Sequence, residues 1–72
     1  MKTYKLKKNG VVKVDTNKGN TQLSVLYDAD GTFSMALEIY NRYFVWRDLC
    51  DSVKRLSTIN RKAKEYGVQF EV

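Results

Sequence analysis

The residues on either side of Asp28-Ala29-Asp30-Gly31 fall into one antiparallel register. A three-residue loop there sets Asp28 opposite Thr32, Tyr27 opposite Phe33, Val25 opposite Met35 and Leu23 opposite Leu37. Leu23, Val25, Tyr27, Phe33, Met35, Leu37 and Ile39 then share one face. Gln22, Ser24, Asp28, Thr32, Ser34 and Glu38 share the other. Side chains alternate along a strand, so a slip of one residue would mix the two sets. The chain thus predicts a hairpin with one apolar face, and that face needs a covering layer.

The residues before this hairpin suggest another. Tyr4-Lys5-Leu6-Lys7-Lys8-Asn9-Gly10-Val11-Val12-Lys13-Val14 alternates around Asn-Gly, a strong turn signal. A three-residue loop with Gly10 in the left-handed conformation pairs Lys7 with Val11 and Leu6 with Val12. Tyr4, Leu6, Val12 and Val14 then lie on one face, with Lys5, Lys7, Val11 and Lys13 on the other. Thr16 to Asn20, with Gly19, is a polar connection between the hairpins.

Tyr40 to Arg47 is rich in strand formers and reads as a bent continuation of the fourth strand, in preference to a helix running from Ser34. From Leu49 to Tyr66 the period becomes helical. Leu49, Val53, Leu56, Asn60 and Ala63 form a stripe flanked by Cys50 and Ile59. Asp48 is the expected N-cap, Asp51 suits the first turn, Lys62 and Lys64 suit the last turns, and Gly67 stops the helix. Asp51 is placed to pair with Arg55 one turn on. Asn60 interrupts the stripe, either bonded to nearby main chain or on a less covered turn. Val68 to Val72 alternates again as a final strand, expected at an edge.

The expected fold is α+β: a small antiparallel sheet of two hairpins plus a C-terminal strand, covered on one face by a single helix. The order is β-β-β-β-α-β, in one compact domain spanning residues 1–72. A chain this short buries only about 60% of its unfolded surface, enough for one small core and a flat interface.

Several functions are poorly served by this composition. Histidine is absent and Cys50 is the only cysteine. The commonest general base and the commonest metal ligand are therefore missing, and no internal disulfide can form. Asp-Ala-Asp-Gly resembles part of a calcium loop but lacks the further oxygen ligands and the distal Glu, and Asp28, Asp30 and Asp48 read as turn and cap residues. Gly10, Gly19, Gly31 and Gly67 are dispersed and make no phosphate loop. No enzyme, cofactor or metal is expected, and Cys50 reads as a packed side chain. The longest apolar run, Tyr43-Phe44-Val45-Trp46, is far too short to span a membrane, and no signal peptide is evident. A cytoplasmic location is the expectation.

The net charge is +5, split as +5 in residues 1–20, −2 in 21–46 and +2 in 47–72. Such a surplus suits nucleic acid or an acidic protein surface. The leading expectation is a small basic nucleic-acid-binding module. Lys5, Lys7, Lys8 and Lys13 would hold phosphates, with Arg42 and Arg47 beside an aromatic segment that touches bases. Lysines guarding an edge strand are the competing account. A second basic group (Lys54, Arg55, Arg61, Lys62, Lys64) lies on the helix, away from the hairpin. The alternative is an inhibitor or modulator, of the kind mobile elements encode, that grips a protein partner through Tyr40, Tyr43, Phe44 and Trp46 or through an edge strand. Corner packing of those aromatics competes with it, and a homodimer through the same patch is a third reading.

Overall fold

The structure is a computed structural model that describes all 72 residues. Its elements are β1 (Lys2–Lys5), β2 (Gly10–Asp15), β3 (Thr21–Tyr27), β4 (Phe33–Tyr40), β5 (Phe44–Val53), α1 (Leu56–Ala63), a 3-10 turn (Lys64–Tyr66) and β6 (Val68–Glu71). β2, β3, β4 and β5 form a four-stranded antiparallel sheet in chain order, while β1 and β6 form a separate parallel pair. The β1/β6 pair and α1 make a second layer over one face of the sheet. The core lies between the layers, with Leu23, Val25, Met35 and Leu37 facing Ile59, Ala63, Val68 and Phe70. The α+β class with a four-stranded antiparallel sheet is as expected. Phe44–Val53, however, is a fifth strand that turns back to pair with β4 and not a bent continuation of it, and the C-terminal strand joins β1 in the covering layer and not the main sheet.

The β3–β4 hairpin has the register read from the sequence, with Leu23, Val25 and Tyr27 opposite Leu37, Met35 and Phe33. Asp28 N–H donates to the Thr32 carbonyl at 2.8 Å, and Gly31 closes the loop at φ 87°. A left-handed residue is required there, which glycine supplies without a Cβ clash. Asp30 braces the same loop by accepting from Thr32 N–H and from its hydroxyl, which holds the Asp30 carboxyl below its ordinary value.

The first hairpin does not form. β1 pairs with β6, with Lys2 beside Val68 and Tyr4 beside Phe70, while β2 pairs with β3. Asn9, not Gly10, takes the positive φ, at 64°. Gly10 is needed for closeness instead: a Cβ there would sit 3.1 Å from the Lys7 carbonyl oxygen. The expected apolar set still reaches the core, with Leu6 and Val14 buried and Tyr4 and Val12 packed against it. It does so from two layers. Alternation states which side of a strand is oily, and it says nothing about which strand lies alongside.

The helix is shorter than its stripe suggested. Leu49 to Val53 belong to β5, so Asp48 is not an N-cap; Arg55 occupies that position without a side-chain bond. Asp51 and Arg55 make no ion pair. The β4–β5 register shifts twice, because Ala36 pairs Asp48, Met35 pairs Cys50 and Phe33 pairs Val53. Each shift is an extra residue in β5, and the second leaves Ser52 at φ 52°. Two bulges turn Leu49, Cys50 and Val53 toward the core at a spacing that imitates a helical period. Gly67 stops the 3-10 turn at φ 75°, as expected. β6 ends the second layer. No helix of the chain is long and apolar enough to cross a membrane.

Candidate protein-docking face

The second layer covers one face of the four-stranded sheet and leaves the other open. Cross-strand pairing lines up Asp15, Gln22, Glu38 and Trp46 in one row of that outer face, and Lys13, Ser24, Ala36 and Asp48 in the next. Tyr40 and Phe44 make a further row. Outward residues two apart on a strand stand side by side, so Glu38 meets Tyr40, and Trp46 meets Asp48.

Glu38 lies at the centre of this face and is only 1% exposed, although no element covers it. Its neighbours fold over it. The Lys13 ammonium is 3.1 Å from Oε1, the only ion pair in the molecule, and the Tyr40 hydroxyl donates to Oε2 at 2.8 Å. Desolvation pushes the Glu38 carboxyl upward, but the bonds from Tyr40 and Lys13 outweigh it and hold the group below its ordinary value. The same contact raises the Tyr40 hydroxyl, since its proton is held by the carboxylate.

Around this polar centre the aromatics are exposed: Tyr40 at 43%, Phe44 at 56% and Trp46 at 50%. Their rings are in contact, with centroids 5.3 Å apart for Tyr40 and Phe44 and 6.5 Å for Phe44 and Trp46. The Trp46 indole N–H donates to Asp48 at 2.8 Å, which fixes the ring over the strand. Corner packing is therefore not their role. Tyr43, on the bend before β5, is also exposed. A groove of about 290 Å³ runs beside the cluster, floored by Ser24 and Ala36, walled by Val11, Leu26 and Trp46, and edged by Asp48 and Asp51.

Charge is divided between the layers. Residues 1–8 and 54–72 carry nine Lys and Arg against Glu65 and Glu71, a net +7, and residues 9–53 carry a net −2. The outer face itself sets Lys13 against Asp15, Glu38 and Asp48. Lys5, Lys7 and Lys8 do not share a surface with the aromatics: Lys5 is in β1 of the second layer, and Lys7 and Lys8 are on the β1–β2 loop. Lys13 is on the outer face but committed to Glu38. Arg42 is on the tip before β5, and Arg47 points away from Trp46 by strand alternation. The structure thus brings together Tyr40, Phe44, Trp46 and Lys13 and separates them from the remaining lysines.

The carboxylates Asp15, Glu38 and Asp48 and the small residues Ser24 and Ala36 were not anticipated as parts of a site. The i, i+2 pairs Glu38/Tyr40 and Trp46/Asp48 are the sequence signal that points to them once both segments are placed as strands. Cys50 is 8% exposed and burial pushes its thiol up, away from the thiolate that nucleophilic chemistry needs. Nowhere do three or more His, Cys, Asp or Glu side chains gather as a metal site would require. Comparison with protein-family models, with curated proteins and with solved structures finds no match to this chain.

Proposed function

We propose that the chain is a non-catalytic protein-binding module whose open sheet face docks a partner segment that carries arginine or lysine among apolar side chains. The observation that carries this reading is the exposure of Tyr40, Phe44 and Trp46 together on a face whose rim is acidic. Apolar area and aromatic anchors favour protein contact, the carboxylates of Asp15, Asp48 and Asp51 favour a cation, and the rings themselves attract one. The 290 Å³ groove beside Trp46 has room for one apolar side chain. A cytoplasmic setting suits a chain with a single buried, unbridged thiol.

Panning a displayed random-peptide library against the folded protein tests this. The expected result is enrichment of peptides with basic and apolar residues adjacent, and their loss on Trp46→Ala. Enriched peptides that bind Trp46→Ala equally well would overturn it.

The +7 second layer supports a second reading, in which Lys2, Lys5, Lys7, Lys8, Arg61 and Lys64 track an anionic polymer such as nucleic acid. Affinity for a short oligonucleotide, measured across a salt series, is expected to fall steeply with salt on this reading. No binding at low salt would remove it.

A further inference from the structure

We propose that two copies of this chain associate by antiparallel pairing of their β5 edges about Val45, joining the two four-stranded sheets into one. β5 ends the strand order and pairs only with β4, so its other edge presents unbonded N–H and C=O groups to solvent. That edge is unprotected. Phe44, Val45 and Trp46 are 56%, 44% and 50% exposed on alternating faces, and none carries a charge. In the second layer, by contrast, β1 carries Lys2 and Lys5, the usual guard of a free edge.

The occupant follows from the charges on the same stretch. Two copies of one strand can pair with continuous faces only when the two-fold axis passes beside a residue. Centred on Val45, the pairing sets Phe44 against Trp46 of the second copy and Tyr43 against Arg47, an aromatic pair and a cation–π pair. It also brings Arg42, on the tip, alongside Asp48 of the second copy. Arg42, Arg47 and Asp48 have no ion-pair partner within the chain, and Asp48 spends only Oδ1 on Trp46. Centring on Phe44 or Trp46 brings no opposite charges together. The bulge after Asp48 ends the ladder, so the dimer is short and concentration-dependent. The outer aromatic face stays open and is doubled. Phe44, Trp46 and Asp48 belong to both surfaces, and the dimer rests on the main-chain edge of β5 where peptide docking rests on the outer face.

Cysteine cross-linking of the full chain tests the register. Across the axis the two Val45 Cα atoms stand about 4.5–5.5 Å apart, within disulfide range. The two Arg47 Cα atoms stand roughly 13 Å apart, beyond it. Val45→Cys is expected to give a disulfide-linked dimer of twice the 8.4 kDa chain mass, and Arg47→Cys is not. Sedimentation of the reduced wild type should show the mass rising with concentration. Arg42→Asp and Asp48→Arg should each weaken that association about tenfold, and the double variant should restore it. A wild type that stays monomeric at millimolar concentration, together with no bridging by Val45→Cys, would overturn the proposal. Equal bridging by Arg47→Cys would overturn it too, and would leave peptide docking on the outer face untouched.

Discussion

The side-chain amide of Asn60 bonds both main-chain polar groups of Phe70: Nδ2 donates to the carbonyl at 2.9 Å, and Phe70 N–H donates to Oδ1 at 2.8 Å. A helix side chain thereby does for β6 what a neighbouring strand would do. It closes the inner edge of the parallel pair and ties α1 into the second layer. This is why a polar residue sits in the helix's apolar stripe.

Asn60→Ala leaves both groups of a residue that is 1% exposed without partners. The expected loss is about 2–6 kcal/mol, since each of the two orphaned buried groups costs roughly 1–3. Urea unfolding should show a lower midpoint with an unchanged slope. Amide exchange at Phe70 should quicken more than at Val25 in the sheet. A loss under about 0.5 kcal/mol would mean that water replaces the amide without cost.

Glu38 makes stability depend on acid. Its carboxyl lies below the ordinary 4.5 when folded, so its contribution is complete above about pH 4.5 and is lost as pH falls through the folded value. Lys13→Met removes both a bond and a charge from the buried carboxylate. At pH 7 it should cost about 1–3 kcal/mol. The gap to wild type should close as pH falls, because protonated Glu38 no longer needs the ammonium. Chemical unfolding at several pH values reads both effects. A gap independent of pH would assign the loss to packing of the Lys13 stem.

Gly67 and Gly31 should differ in their tolerance of alanine. Both have positive φ, but a Cβ on Gly67 would meet Asn17 atoms at 3.1–3.3 Å, while one on Gly31 meets nothing within 4 Å. Gly31→Ala is expected to cost about 1 kcal/mol and Gly67→Ala about 2 or more. At this size each kcal/mol moves the thermal midpoint by roughly 4–8 °C. Equal shifts for the two variants would contradict the close approach of Asn17.

Core and docking face should separate cleanly in mutagenesis. Leu23 is fully buried, and Leu23→Ala should cost about 3–5 kcal/mol. Trp46 is 50% exposed, and Trp46→Ala should cost under about 1 kcal/mol while abolishing peptide capture. The Trp46 emission should be quenched by acrylamide almost as readily in the folded protein as in urea. Strong protection from quenching in the folded monomer would mean that the ring is covered.

The chain by itself determined its local geometry: which sides of the strands are apolar, that Asp28 to Gly31 closes a hairpin in one register, and that Gly67 ends the helical segment. These follow from side-chain alternation and from backbone angles that few residues tolerate, both properties of neighbours in the chain. Only the tertiary structure decided that β1 leaves β2 for β6, that Leu49 to Val53 extend a bulged strand, and that the aromatics of β5 stand beside Glu38 and Asp48, apart from Lys5, Lys7 and Lys8. Those outcomes depend on how the layers close over a shared core. Tyr4 and Leu6 bury equally well beside β2 or beside β6, so alternation is silent on the choice, and the position of every charge on the surface follows from it.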